Sequence, residues 1–243
     1  MFRAITFDFW NTLYKAPAGQ EMANRRISAF QQILLQLGRP ADPVLVRVAM
    51  EDCWRYAYKY QREYGMDITP RGYLDYILQQ LGLDLKREEW QLVYQVFTSI
   101  LLAHPPQLNE GVAETLPQLS EKYKLAVICN TGITPGLLLR EIMKADDIFR
   151  FFDFLTFSDE VKWAKPNVKI FNYTLENLQV QNSEAAHIGD DSSSDVAGAK
   201  MAGMTAVWLA PLPMDRCTDC DYQVSSVREL VNLFKTACCE DVR

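Results

Sequence analysis

The sequence predicts an α/β fold: a doubly wound parallel sheet with a block of four helices inserted into it. From about residue 107 onward, short and continuously apolar segments alternate with helical patterns, as in a parallel sheet covered by helices on both faces. One further apolar segment, residues 2–9, stands alone near the N-terminus and needs those later strands as partners. The residues between them, 20–102, are helical throughout.

The first strand is predicted over residues 2–9 and is followed by a turn at Asn11 and Thr12. Start and stop signals then delimit the inserted helices. Asp42 is an N-cap followed by a proline at the first helical position, and Gly65 is the matching stop. Together with the periodicity, such signals predict helices at about residues 20–37, 43–64, 69–81 and 85–102.

The second half of the chain alternates strands with helices. Strands are predicted at residues 125–129, 154–157, 185–189, 205–209 and about 222–224. Helices are predicted at residues 110–121, 135–143, 167–178, 195–202 and 226–236. The first strand pairs with these later ones, so the sheet domain is discontinuous. We expect residues 1–16 and 105–243 to form a Rossmann-like core and residues 17–104 to form a separate helical domain.

Composition excludes several classes of protein. The 243 residues carry a net charge of −6 and no Lys/Arg cluster, which argues against nucleic acid or an anionic membrane as a partner. No apolar run approaches the roughly 20 residues that span a bilayer. The six cysteines are too few for a disulfide scaffold, and the N-terminus has no signal-peptide pattern, so we expect a cytoplasmic protein with reduced thiols.

Polar residues lie at or just beyond the carboxyl ends of the predicted strands, the edge where doubly wound sheets bind ligands. They are Asp8, the segment Cys129-Asn130-Thr131, Lys165, and the pair Asp190 and Asp195. Several carboxylates cannot lie together ionised without a counter-charge. A hard divalent cation with oxygen ligands supplies that charge, and Mg²⁺ is the usual ion where phosphate is also bound. The sequence therefore predicts a magnesium site at this edge.

These residues also carry a resemblance to a known family. Asp8-Phe9-Trp10-Asn11-Thr12, the polar cluster at 129–131, Lys165-Pro166 and the acidic segment 189–195 occur in the order of four motifs. Those are the motifs of the haloacid dehalogenase-like (HAD) hydrolase superfamily. The helical insertion after the first motif is similar to the C1-type cap of that superfamily. The resemblance covers essentially the whole chain.

The resemblance implies a role for each matching residue. Asp8 would be the nucleophile that forms a covalent aspartyl intermediate, and Lys165 would neutralise it and the transferred group. Asp190 would bind Mg²⁺ together with Asp8 and the backbone carbonyl of Trp10. Asp195 would be a further ligand or would hold the ligands in place. Residues of the second motif, Cys129, Asn130 and Thr131, would bind the substrate.

Two residues depart from the pattern of the superfamily's phosphatases. Trp10 stands where most of them have an aspartate that protonates the leaving alcohol, and the loss of a general acid costs about 10²–10⁴-fold in rate. Cys129 stands where they usually have serine or threonine, and a thiol is a weak hydrogen-bond donor. We therefore expect a phosphatase of small phosphate esters, suited to good leaving groups such as aryl or acyl phosphates.

Two alternative functions stay open at this point. Haloacid dehalogenases proper carry an aromatic residue at the position of Trp10 and a Ser-Asn pair similar to Cys129-Asn130, which favours a C–halogen hydrolase. They work without metal, however, and lack the acidic set that includes Asp190 and Asp191. The second alternative is a weakly catalytic binding protein on the same fold.

Some side chains have two interpretations. Asp191 is either a metal ligand or a solvated neighbour of Asp190, and His187 is read as a core histidine because it lies within a strand. The helical insertion is rich in tyrosine, which either packs the bundle or lines a substrate pocket. A zinc site is a weaker interpretation of Cys217, Cys220, Cys238 and Cys239, whose spacing is irregular. The candidates for binding a substrate anion are Arg25, Arg26, Arg55 and Arg62.

Overall fold

The computed structural model describes residues 1–16, 19–210 and 219–240, the last four of these by backbone alone. Within these residues, six parallel strands form one sheet. They are β1 (Ala4–Phe7), β2 (Lys124–Cys129), β3 (Phe154–Phe157), β4 (Ala185–Gly189), β5 (Thr205–Leu209) and β6 (Tyr222–Val224). Their order across the sheet is β3-β2-β1-β4-β5-β6. The predicted α/β class and parallel sheet are confirmed, with the N-terminal strand between β2 and β4.

The helices fall into two sets. Those between β1 and β2 are α1 (Gly19–Gln36), α2 (Pro43–Tyr64), α3 (Thr69–Gln80), α4 (Arg87–Thr98), α5 (Ile100–Ala103) and α6 (Val112–Ser120). Those after β2 are α7 (Gly136–Ala145), α8 (Ser158–Val161), α9 (Val168–Leu178), α10 (Ala197–Met201) and α11 (Leu230–Glu240). A π-helical turn, Ser192–Val196, precedes α10. None of the helices in the described residues is both long and apolar enough to cross a bilayer.

The sheet separates two apolar cores. Alternate residues of a strand point to opposite faces, so Ile5 and Phe7 of β1 pack into one core and Ala4 packs into the other. Every residue of β1 is buried, as expected for a central strand covered on both faces. The strand thus presents its carboxyl end, and not its faces, to a ligand.

Helices α1 to α4 enclose a third apolar core, which includes Phe30, Leu34, Leu74 and Phe97 and is joined by Ile133 from the loop after β2. The predicted caps form in α2: the Asp42 carboxylate accepts a hydrogen bond from the Val44 amide at 2.7 Å, and Gly65 ends the helix at φ 61°. We propose, on the basis of this additional core, that the chain divides into a sheet domain and a helical domain.

The prediction of a single helix over residues 85–102 was wrong. The structure breaks it at Ser99, between α4 and α5. The Thr98 hydroxyl donates to the Tyr94 carbonyl at 2.8 Å, a back-bond that bends helices.

The loop between α2 and α3 contacts the segment that follows β3. The Asp67 amide donates to the Lys162 carbonyl at 2.9 Å, and the Ala164 amide donates to the Gly65 carbonyl at 3.0 Å. The Ser158 hydroxyl also donates to the buried Asp67 carboxylate. These contacts hold the helices over the edge of the sheet where the strands end.

Candidate active site

Three carboxylates meet where β1 and β4 end. Asp8 follows β1, Asp190 follows β4, and Asp195 lies in the π turn beyond it. The parallel register pairs Phe7 with Ile188, and the Asp8 amide donates to the Ile188 carbonyl at 2.8 Å. One carboxylate oxygen from each of Asp8, Asp190 and Asp195 lies within 4.8 Å of the others, so the three could hold a metal ion together.

Lys165 joins two of these carboxylates. Its ammonium lies 2.5 Å from Asp8 Oδ1 and 2.6 Å from Asp195 Oδ1, and all three side chains are at most 9% exposed. The Asn130 side chain positions this lysine: its Oδ1 accepts from the Lys165 amide at 2.8 Å, and its Nδ2 donates to the Lys165 carbonyl at 3.0 Å. Substrate binding by Asn130 stays a prediction, and the structure shows its amide holding the Lys165 backbone.

A buried polar chain continues from Asp195 into the sheet. His187 Nε2 lies 3.3 Å from Asp195 Oδ1, and His187 Nδ1 lies 2.8 Å from the Thr6 hydroxyl. Burial lowers the pKa of His187, so the neutral ring donates from Nε2 to Asp195 and accepts from Thr6 at Nδ1. We did not assign Thr6 or His187 to the site from sequence. Their signal was a polar residue at paired positions of two otherwise apolar strands.

Gly189 lets Asp195 approach the sheet. A Cβ at this position would overlap the carboxyl group of Asp195. Asp195 also accepts a hydrogen bond from the Asp191 amide at 3.1 Å through Oδ2. Both of its oxygens are therefore already bonded within the protein.

The charges of the site are unbalanced. Burial raises the pKa of Asp8 to about 8, although Lys165 opposes the shift, and burial also raises the pKa of Asp190. Lys165 and His187 hold the pKa of Asp195 below its usual range despite its burial. Asp195 and Asp8 in turn raise the pKa of Lys165, against the effect of burial. One ammonium faces three carboxylates, so the site lacks positive charge.

Asp190 is oriented by residues from two other segments. The Asn11 amide donates to Asp190 Oδ2 at 3.0 Å, and the Trp208 indole donates to the Asp190 carbonyl at 2.8 Å. Its neighbour Asp191 has a different role. The Asp191 side chain accepts from the Ser193 amide at 2.7 Å and caps the π turn.

The two departures from the phosphatase pattern lie in different surroundings. Cys129 is fully buried, and burial raises the pKa of its thiol far above the usual value, so it stays neutral. Trp10 is half-buried and lines a cavity of about 460 Å³ between helices α1 and α2 and the loops that follow β1 and β2. Thr131 lines the same cavity, and its amide donates to the Ser158 hydroxyl at 2.9 Å.

The zinc interpretation has no support among the described side chains. Cys220 is half-buried and belongs to no group of metal-ligating side chains within the described part of the chain. Cys217, and the side chains of Cys238 and Cys239, lie outside the described part of the chain.

Comparisons with known proteins agree with this geometry. A family model described as haloacid dehalogenase-like hydrolase matches residues 2–203. A glyceraldehyde 3-phosphate phosphatase of Methanopyrus kandleri is 29% identical over 97% of this chain and 98% of its own length. The haloacid dehalogenase-like hydrolase domain-containing protein 3 of Bos taurus is 27% identical over 88% of this chain and 84% of its own.

Solved structures share the fold. The HAD phosphatase from Thermococcus onnurineus matches with a TM-score of 0.64 and 26% identity, covering 96% of this chain and 98% of its own. A 2-haloacid dehalogenase from Pseudomonas syringae matches with a TM-score of 0.73 and 22% identity, covering 98% of this chain and 100% of its own. The second likeness concerns the fold alone. With the family model spanning both the acidic site and the helical insertion, the chain belongs to the haloacid dehalogenase-like hydrolase family.

Proposed function

We propose that this protein is a Mg²⁺-dependent phosphatase that hydrolyses a small phosphate ester through a phosphoaspartyl intermediate on Asp8. The observation that carries the proposal is the grouping of the Asp8, Asp190 and Asp195 carboxylates within 4.8 Å, with Lys165 as the one cation that pairs with them among the described residues. Relatives that are named glyceraldehyde 3-phosphate phosphatase support phosphate ester hydrolysis.

The donor set fits a magnesium ion. Asp8 and Asp190 would hold it with their carboxylates, and the backbone carbonyl of Trp10 would add a third oxygen. Asp195 would act mainly by holding Lys165, because both of its oxygens already accept hydrogen bonds. When bound, the ion would supply the missing positive charge and reduce the repulsion between the nucleophile and the phosphoryl oxygens.

The protein's own groups account for the nucleophile. Lys165 holds Asp8 Oδ1, and Asp8 Oδ2 has no hydrogen-bond partner among the described residues. Oδ2 would attack phosphorus, the bond from phosphorus to the ester oxygen would break, and the leaving group would depart as a phenolate or a carboxylate. A water molecule would then attack the phosphorus of the phosphoaspartate, which releases inorganic phosphate and restores the Asp8 carboxylate.

The leaving group receives no proton from residue 10, because the indole of Trp10 is not an acid at neutral pH. Aryl and acyl phosphates leave without such help, so we propose that the substrate belongs to those classes. Residues 17–104 would serve as a cap that covers the bound substrate and excludes water.

Activity measurements with and without metal test this function. We expect phosphate release from p-nitrophenyl phosphate with Mg²⁺, its loss in EDTA, and a loss of at least about a thousandfold in Asp8→Asn. Asp191→Asn is the matched control, because that side chain caps a turn and an asparagine can do the same. Halide release from a 2-haloacid at a rate that EDTA does not change would instead establish a dehalogenase. No turnover in either assay would favour a binding protein.

A further inference from the structure

We propose that the 460 Å³ cavity binds the leaving group of an aromatic phosphate monoester that carries a carboxylate, and that Arg26 binds this carboxylate. The inference rests on the phosphatase function proposed above and names its substrate class. Arg26 would then determine substrate specificity. It is one of the four arginines that the sequence analysis identified as candidates for binding a substrate anion.

The cavity has the size and lining of a small-molecule site. Trp10 and Trp54 provide aromatic walls, and Met22, Ile27 and Leu101 provide aliphatic ones. A volume of about 460 Å³ lies in the range of ligand pockets. Two residues that line the cavity are close in sequence to residues of the acidic site: Trp10 is two residues beyond Asp8, and Thr131 follows Asn130, which holds Lys165. An aromatic leaving group between the two indoles would extend from a phosphoryl group on Asp8.

Arg26 brings an unbalanced positive charge to this apolar space. Its side chain lines the cavity, and the residue is only 8% exposed. Its Nε donates to the Phe97 carbonyl at 3.4 Å, and its guanidinium carbon lies 5.9 Å from the centre of the Phe97 ring. Its two terminal nitrogens have no hydrogen bond or ion pair within the described part of the chain. Burial lowers the pKa of Arg26 to about 10, so it remains protonated at neutral pH.

The other charged residues of the cavity do not balance Arg26. Arg47 donates to the Asn24 side chain at 2.9 Å and is half-buried. Glu51 is exposed at the rim and forms no ion pair with Arg26 among the described residues. A buried guanidinium without a counter-ion is costly, and a planar carboxylate satisfies its two terminal nitrogens in one bidentate contact.

A second buried group in the cavity also lacks a partner. Thr134 lines the cavity, and its hydroxyl is buried without a hydrogen bond in the residues that the structure describes. An unsatisfied buried hydroxyl is unfavourable, and a polar group on a ligand would relieve it. The aromatic class also agrees with Trp10, because an aryl alcohol leaves without the general acid that this residue replaces.

Two phosphate esters that differ only in charge test the inference. We expect wild-type kcat/KM for 4-carboxyphenyl phosphate to exceed that for 4-carbamoylphenyl phosphate about 10- to 100-fold, as for a hydrogen bond to a charged group. The carbamoyl phenol is the better leaving group, so intrinsic reactivity opposes this preference. Arg26→Met should abolish the preference, because it removes the group that binds the carboxylate. Arg47→Met, the control from the same cavity, should retain the preference.

Arg26→Met should fold, because methionine fills a similar volume and no carboxylate loses its partner. A binding measurement then separates the inference from catalysis. Calorimetry of Asp8→Asn in EDTA should detect 4-hydroxybenzoate but not 4-hydroxybenzamide, and adding Arg26→Met should remove the signal. Equal hydrolysis of both esters, with no binding preference, would overturn the inference and leave the phosphatase standing. Absence of hydrolysis with Arg26-dependent binding of 4-hydroxybenzoate would overturn the phosphatase and leave the carboxylate site.

Discussion

Replacing Lys165 by methionine should destabilise the metal-free protein strongly. The variant keeps most of the side-chain volume but removes the ammonium that lies 2.5 Å from Asp8 and 2.6 Å from Asp195. The ionised Asp195 carboxylate, 2% exposed, would then lie buried without that counter-charge, and Asp8, whose pKa burial raises to about 8, would lose the group that favours its ionised form. Removing one partner of a buried ion pair costs about 3–5 kcal/mol, and we expect a loss of that size in the free energy of unfolding.

Lys200→Met provides the matched control. Lys200 lies 2.6 Å from Asp221, the same separation, but its side chain is 43% exposed and that of Asp221 is 34% exposed. Solvent screens such a pair, so its loss should cost only about 0–1 kcal/mol. The contrast between the two variants isolates burial as the cause.

Urea unfolding in EDTA near neutral pH measures both variants. Adding Mg²⁺ should restore part of the stability lost in Lys165→Met, because the ion supplies positive charge to the carboxylates that Lys165 neutralised. The effect of Mg²⁺ on the free energy of unfolding of Lys200→Met should be no larger than its effect on the wild type. If Lys165→Met were as stable as Lys200→Met in EDTA, the electrostatic description of the site would be wrong.

Three further predictions concern the same site. Because burial raises the pKa of Asp8 to about 8, Mg²⁺ must displace a proton below that pH. Calorimetry should therefore show that the affinity for Mg²⁺ falls about tenfold per pH unit as the pH drops from about 8. The affinity of Asp8→Asn should not depend on pH in this way. Gly189→Ala should lower the free energy of unfolding by about 1–3 kcal/mol, because the added methyl group overpacks against Asp195. Gly72→Ala in α3 should cause no such loss, because a Cβ there makes only ordinary contacts. Equal melting temperatures of the two variants would argue against the close approach of Asp195 to Gly189. Trp10→Asp should raise the rate on alkyl phosphates more than on aryl phosphates, and Trp10→Asn should not; a uniform change would contradict our account of the leaving group.

Much of the fold followed from the sequence because its signals are local. Continuous apolar runs mark buried strands, and a parallel sheet brings their carboxyl ends to one edge. That rule predicted that Asp8, Lys165, Asp190 and Asp195 would meet, and the structure brings them together.

The rest depends on side-chain direction and tertiary packing, which spacing does not encode. The two hydrogen bonds between the Asn130 side chain and the Lys165 backbone join residues from two loops. The connection of Thr6 and His187 to Asp195 required the register of β1 against β4. Arg26 differs from its neighbour Arg25 only in the helix face on which it lies. Arg25 pairs with Glu21 at the surface, whereas Arg26 is buried beside the cavity.

Covalent labelling of Asp8 tests the central proposal most directly. The protein would be mixed with p-nitrophenyl phosphate and Mg²⁺, quenched in acid within one turnover, digested and analysed by mass spectrometry. We predict a phosphoryl group on the peptide that contains Asp8, located at Asp8, and no phosphorylated peptide from Asp8→Asn or from protein in EDTA. Phosphate release at full rate by a protein that never carries a phosphoryl group at Asp8 would contradict the account.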